Sequence, residues 1–107
     1  MNLIGIGSTG CSVVEKFKVY PQYGIYKIDH ELKGLKKNGE YNFPRFDAIE
    51  DYEKHCPTMK SFLKNVSDQA MLVVSGSDPL CAATLKILET IKTRAEISVI
   101  YIKPDAE

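Results

Sequence analysis

The chain has 107 residues, a length typical of a single domain, and 44% of them are hydrophobic, which is enough for one core. Its 14 basic and 14 acidic side chains cancel and only two of the basic residues are arginines, so no nucleic-acid partner is expected. No stretch approaches the roughly 20 apolar residues that span a membrane, and no secretory signal is visible. We therefore expect a cytoplasmic protein without a membrane partner.

The cysteines and histidines do not form a metal-binding or catalytic pattern. Cys11, Cys56 and Cys81 are an odd number without a C-x-x-C pair, so neither a disulfide framework nor a zinc site is expected. Cys11 falls in the first turn of a predicted helix, where the dipole favours a thiolate, and the alternative is a small residue packed behind the turn. His30 and His55 are isolated and are interpreted as surface or satisfied residues.

In chain order, the first predicted element is a strand over residues 2–7 that breaks at a glycine turn into a helix. A second strand is predicted over residues 23–29, which are rich in β-branched and aromatic side chains and end in an acid. The length between them suits a parallel crossover, so these two strands are expected to be adjacent and parallel.

The middle of the chain has weaker patterns. Residues 30–42 have no sustained period and are predicted to form an exposed loop. Two short surface helices are predicted next, one beginning at Pro44 and one at Pro57, each with a single buried stripe.

The last third predicts strand, helix and strand. The apolar residues 70–75 form a strand covered on both faces, Asp78 caps a helix that Pro79 begins, and residues 97–102 form the last strand. Strands that alternate with helices predict an α/β fold. We expect a Rossmann-like parallel sheet of about four strands in the order 2-1-3-4, with helices on both faces.

The turn over residues 5–10 satisfies G-x-G-x-x-G where a strand gives way to a helix, and Asp29 follows 19 residues later. Glycine permits a close approach of the backbone to a phosphate, the helix start attracts an anion, and Asp29 is placed to accept from a ribose. The alternative is that the glycines only allow a tight turn and that Asp29 only caps a loop. The predicted binding residues of this turn are Gly5, Gly7, Ser8, Thr9, Gly10 and Cys11.

The loop over residues 75–78 is expected beside this turn. In the order 2-1-3-4 the crossovers of strands one and three leave toward opposite faces, and ligands bind at such switch points. Gly76 and Ser77 are therefore predicted binding residues. Asp78 argues against a phosphate in this loop, because its carboxylate takes up N–H donors as a cap and Pro79 has none to offer.

The glycine turn, YGIYKID, a helical pair ending at Lys64-Asn65-Val66, DQAMLVVSGSDPLCAATLKILETI and ISVIYIKP together resemble the N-terminal, GTP-binding half of the tubulin and FtsZ superfamily. The resemblance covers almost the whole chain and implies GTP or GDP across the two loops, with residues 7–11 near the nucleotide and Asp29 at its edge. The family's G-G-G-T-G-[ST]-G signature would fall on residues 75–81, which keep one glycine. Residues 1–107 are interpreted as one nucleotide-binding α/β domain, with a truncated half of a larger tubulin-like protein as the alternative.

Three functions are compatible with these residues. The first is a GTP-binding domain for assembly, through self-association or a partner protein, and the second is an NAD-type dinucleotide-binding module. The third is a structural or interaction domain that has lost its ligand, which Asp78-Pro79 favours. No autonomous catalysis is expected, because neither loop carries a lysine or arginine. Gly10→Val is expected to abolish binding at a stability cost of about 1–3 kcal/mol.

Overall fold

A five-stranded parallel sheet forms the centre of the computed structural model, which describes residues 1–30, 32 and 39–103. The strands are β1 (Asn2–Ile6), β2 (Gly24–Asp29), β3 (Glu40–Asn42), β4 (Asp68–Ser75) and β5 (Ala95–Ile102). Their spatial order is β3-β2-β1-β4-β5, and every neighbouring pair is parallel. The four predicted strands keep their predicted relative order, and β3 is added beside β2.

Helical segments cover both faces of this sheet, as predicted. They are α1 (Gly7–Glu15), α2 (Ile49–Lys54), a 3-10 turn (Pro79–Ala83) and α3 (Thr84–Ile91). Successive strand residues point to opposite faces, so Leu3 and Val73 pack with Val14 of α1, whereas Ile4 and Leu72 pack in the larger core that includes α3. None of the described helices is long and apolar enough to cross a membrane.

The prediction of an exposed loop over residues 30–42 is wrong at its end, because the last three residues form β3. Lys27 Nζ of β2 lies 3.6 Å from Glu40 Oε2, and the Tyr41 ring lies 5.4 Å from the Phe62 ring. An ion pair and an aromatic contact with distant parts of the chain thus stabilise a strand that has no local pattern. Residues 31 and 33–38 of the predicted loop lie outside the described residues.

The helix predicted from Pro44 is shorter than expected. It begins at Ile49, and the Ile49 side chain is 63% exposed instead of lying in the buried stripe. Tyr52 is the residue of α2 that is buried, and its ring stacks on Phe43 at a centroid distance of 5.8 Å. This stacking packs α2 against the residue that directly follows β3.

The helix predicted from Pro57 is absent, and the segment forms turns, although Met59, Leu63 and Val66 of the expected apolar stripe are buried and Phe62 is partly buried. Arg94 stabilises these turns. Its guanidinium group donates to the carbonyl oxygens of Leu63 at 2.6 Å and Val66 at 2.8 Å. The Leu63 carbonyl also accepts the backbone N–H of Val66 at 3.0 Å, so these carbonyls are satisfied without a regular helix.

Candidate functional site

Two loops meet at the carboxyl ends of β1 and β4, where the strand order predicts a crevice. The backbone N–H of Ser8, at the start of α1, donates to Asp78 Oδ2 at 3.1 Å. The backbone N–H of Leu80 donates to Asp78 Oδ1 at 2.9 Å. The predicted capping role of Asp78 is therefore confirmed, and the same carboxylate also joins the start of α1 to the 3-10 turn.

Gly7 makes this close approach possible. Its φ of +80° lies in the region that favours glycine, and a Cβ at this position would collide with the Asp78 carboxylate. Helix α1 has no acidic residue in its first turn and no side-chain cap of its own. Asp78 thus supplies the negative charge that the N-terminus of a helix attracts.

Comparison of the chain with protein families, with curated proteins and with solved structures finds no significant match. The crevice is therefore interpreted from its own geometry. The carboxyl ends of the strands bring together Gly7, Ser8, Asp29 and the loop over residues 75–78, as the sequence predicts. The other predicted residues of the glycine turn lie beneath these loops or on the outer surface of α1.

Gly5 and Gly10 pack α1 against the sheet. A Cβ on Gly5 would lie 2.6 Å from the Gly10 carbonyl oxygen, and a Cβ on Gly10 would collide with the carbonyl oxygen of Val73 in β4. A valine at position 10 would push α1 away from β4, so we now expect a stability cost for Gly10→Val above the range given from the sequence. Contact of Gly5 and Gly10 with a nucleotide stays a prediction.

Cys11 is buried beneath the turn and is not activated. Its thiol donates to the carbonyl oxygens of Gly5 at 3.5 Å and Ile28 at 3.6 Å. Burial raises the pKa of this thiol to about 12, and the nearby charge of Asp29 adds to the effect. The idea of a thiolate favoured by the helix dipole is therefore wrong, and the packed, inert residue is what the structure contains.

Asp29 brings a second carboxylate to the crevice from the end of β2. Its Oδ1 accepts the backbone N–H of His30 at 2.8 Å. Burial raises the pKa of Asp29, and the negative charge of Asp78 raises it further, while His30 and Arg45 act in the opposite direction. The charge of Asp78 thus acts on Asp29 across the position where a phosphate is expected.

The backbone donors of the loop after β4 are already bonded within the protein. The N–H of Gly76 donates to the carbonyl oxygen of Ile102 at 2.9 Å. The N–H of Ser77 donates to Ser75 Oγ at 3.3 Å, and the two serine hydroxyls lie 2.9 Å apart. Ser8 and Thr9 are exposed on the other loop. A ligand here has fewer free backbone donors than the glycine pattern predicts.

A hydrogen-bond network beside the crevice was not predicted. The Tyr52 hydroxyl lies 3.0 Å from His30 Nε2 and accepts the backbone N–H of Phe46 at 3.2 Å. The His30 ring is therefore hydrogen-bonded to a buried tyrosine, and the network connects the end of β2 to α2. Its sequence signal is slight: a histidine directly after a strand and an aromatic residue in a short helix. In the described part of the chain, no three side chains of the metal-binding types come together.

An apolar groove lies on the face of the sheet that α1 covers, between α1 and β5. It was also not predicted. It has a volume of about 240 Å³, and the residues around it include Met1, Leu3, Val13, Phe17, Met71 and Ile100. Helix α1 has only nine residues and contacts β1, β2 and β4, so the sheet beyond it stays open in the described structure. The short stretch of helix-forming residues after the glycine turn is the signal that could have indicated this opening.

Proposed function

We propose that this chain is an interaction domain built on a nucleotide-binding type of fold, in which its own Asp78 takes the place of a bound phosphate. The observation that carries the proposal is the 3.1 Å hydrogen bond from the Ser8 N–H to the Asp78 carboxylate. A phosphate at the start of α1 needs this N–H and the space above Gly7. The Asp78 carboxylate accepts this N–H and occupies this space.

The surroundings of Asp78 support the same function. Asp29 adds a second acidic group, and residues 7–10 and 75–78 contain no lysine or arginine. Like charges repel strongly when they are partly removed from water, so a pyrophosphate entering here would be repelled by both carboxylates. The bonded N–H groups of Gly76 and Ser77 offer no compensation.

The exposed apolar surface supports an interaction role. Phe17, Tyr20 and Tyr23 form a cluster of rings with centroid distances of 5.5 to 6.3 Å at the end of α1. Phe17 and Tyr23 line the groove, and Tyr20 is 50% exposed. Contiguous exposed apolar residues, aromatic ones especially, are typical of protein–protein contact sites.

Thermal unfolding with GTP, GDP, ATP and NAD, each with Mg²⁺, tests the proposal. A ligand present at about 100 times its Kd stabilises a protein by about 2.7 kcal/mol. For a chain of this length that corresponds to a rise in Tm of roughly 12 °C. We expect no rise with any of the four. A rise with one of them would refute the loss of the ligand and identify the nucleotide.

Nucleotide binding is the second candidate, with GTP or GDP as the tubulin and FtsZ resemblance implies and NAD as the alternative. The positive φ of Gly7 and the exposed start of α1 favour it. In this case Asp78 must leave Ser8 when the ligand enters. Asp78→Ser separates the two functions, because it removes the competing charge and keeps a capping hydroxyl. If wild type and variant both ignore nucleotides, the second candidate is excluded; binding by the wild type supports it.

A further inference from the structure

We propose that the contact between His30 and Tyr52 is an acid-sensitive switch, which holds α2 in place only while the His30 imidazole is neutral. This switch goes beyond the interaction function proposed above and does not depend on it. His30 directly follows β2, its side chain is 10% exposed, and it contacts the residue that α2 buries. Histidine is the side chain whose charge ordinarily changes between about pH 5 and 8, so a contact of this kind responds to mild acid.

The hydrogen bonds of the Tyr52 hydroxyl determine which His30 nitrogen carries the hydrogen. The backbone N–H of Phe46 donates to this hydroxyl at 3.2 Å, so the oxygen already serves as an acceptor. A phenol has a single hydrogen to donate, and His30 Nε2 lies 3.0 Å away. Both contacts are satisfied when the Tyr52 O–H donates to an unprotonated Nε2. From this network we assign His30 as the neutral tautomer with its hydrogen on Nδ1.

Asp29 favours the same tautomer. Its Oδ1 lies 3.9 Å from His30 Nδ1, which is too far for a hydrogen bond but close enough for a carboxylate to attract an N–H group. The same oxygen accepts the backbone N–H of His30, which keeps the carboxylate beside the ring. Nδ1 thus carries its hydrogen whether the ring is neutral or charged. Protonation changes the other side of the ring, which faces Tyr52.

Protonation at Nε2 breaks the hydrogen bond that Tyr52 donates. The Nε2–H and the Phe46 N–H would then both point at the phenol oxygen, and the hydroxyl hydrogen would lose the acceptor that it has beside a neutral ring. Tyr52 is 2% exposed, so water does not replace this acceptor while the tyrosine stays in place. A buried donor without an acceptor costs free energy, and this cost is removed when Tyr52 moves outward.

The charges near the switch keep the imidazolium at the end of β2. Asp29 attracts the charged ring, so the loss on protonation falls on Tyr52 and α2. Other charged groups around the network are Asp78, Arg45, Asp51 and His55. Asp78 raises the pKa of Asp29 and Arg45 lowers it, although burial has the largest effect on this carboxyl. In acid His55 gains a charge 3.8 Å from Asp51, a pair that would stabilise α2 and not release it.

Movement of Tyr52 would affect the packing of α2 and the crevice beside it. Its ring stacks on Phe43 at 5.8 Å and meets Phe46 edge-on at 5.2 Å. Helix α2 has six residues, which is too short for a helix to be stable alone, and it packs against the 3-10 turn that Asp78 caps. Mild acid should therefore loosen α2 and residues 43–48 and leave the parallel sheet intact.

Two NMR measurements on the wild-type chain test the switch. At about pH 7.5 the imidazole nitrogen resonances of His30 should show a hydrogen on Nδ1 and none on Nε2. Amide exchange is then compared between about pH 7.5 and about pH 5.5, with its intrinsic pH dependence subtracted. We expect exchange at Phe46 and in α2 to become about three- to tenfold faster in acid relative to exchange in β4.

His30→Gln and His55→Gln are a matched pair of variants. Each removes a histidine that lies next to α2, but His30 is the one whose ring is hydrogen-bonded to Tyr52. We expect the acid effect on α2 to disappear in His30→Gln and to persist in His55→Gln. Circular dichroism verifies that both variants are folded.

Any of four results would overturn the switch: a hydrogen on Nε2 of the neutral His30 ring, exchange in α2 that does not increase in acid, an increase that persists in His30→Gln, or one that disappears in His55→Gln. Persistence in His30→Gln would assign the acid effect to another group, such as Asp29, whose pKa burial raises. The tautomer is measured on the wild type, so this part of the test does not depend on the folding of a variant.

Discussion

Asp78→Ala should destabilise the domain, because it removes the acceptor of two backbone N–H groups. The N–H of Ser8 is at the exposed start of α1, where water can replace the carboxylate, so its loss costs about 0.5–1 kcal/mol. The N–H of Leu80 belongs to a residue whose side chain is fully buried, and its loss costs about 1–2 kcal/mol. We therefore expect a total decrease of about 1.5–3 kcal/mol in the free energy of unfolding.

The size of the chain converts this decrease into a temperature. An entropy of unfolding of about 2.1 cal/mol/K per residue amounts to about 0.22 kcal/mol/K for the whole chain. The Tm of Asp78→Ala should thus fall by about 7–14 °C. Asp78→Asn keeps one carbonyl oxygen as an acceptor, so we expect roughly half of this effect.

Differential scanning calorimetry and urea unfolding at pH 7 measure these changes. Asp47→Asn, at an exposed position outside the crevice, is the matched control for the loss of a carboxylate and should change the Tm by less than about 2 °C. If Asp78→Ala melts within 2 °C of the wild type, or if Asp47→Asn has the same effect as Asp78→Asn, the bridging role of Asp78 is refuted.

Three further predictions concern the residues beneath the crevice. Burial, and then the charge of Asp78, raise the pKa of Asp29, so the folded state binds this proton more tightly and the stabilisation present in acid is lost as the pH rises through the folded pKa. Asp29→Asn should therefore raise the Tm at pH 7 more than at pH 3, and a pH-independent difference would contradict this. At pH 8 a thiol reagent should leave Cys11 unmodified in the native protein, as peptide mapping by mass spectrometry would detect; modification before unfolding would contradict its burial. In urea, the Gly10→Ala variant should lose more than about 2 kcal/mol of unfolding free energy, because its Cβ would collide with a backbone carbonyl. Gly24→Ala should lose less, because its Cβ would lie 2.7 Å from a side-chain oxygen, that of Asn2, and not from the backbone; equal losses would refute this packing argument.

The strands could be predicted because their signals are local. The apolar run over residues 70–75 is typical of a strand covered on both faces, and β4 is buried there between two helical layers. The change from strand to helix at the glycine turn was also predicted, although the strand was expected to include Gly7 and α1 already begins there. These elements are specified by a few consecutive residues, and their strand order then follows from the handedness of the crossovers.

The remaining features depend on contacts between distant residues. Strand β3 is stabilised by Lys27 and Phe62, and the turns of residues 57–66 by Arg94, so local periodicity could not reveal either. The site was predictable to the same extent. The bond from Asp78 to Leu80 spans two residues and follows from the capping pattern, whereas the bond from Asp78 to Ser8 needs the folded sheet.

The bond between Ser8 and Asp78 joins residues 70 positions apart in the sequence, which has a consequence for the order of folding. A single hydrogen bond is too weak to close a loop of that length by itself. It forms only after β4 has paired with β1 and brought the two loops together. Hydrogen exchange at the Ser8 amide therefore reports on the docking of β4, while amides further along α1 report on the helix. In a nascent chain that ends before β4, the first turn of α1 is frayed, and it becomes ordered when the C-terminal part of the sheet arrives.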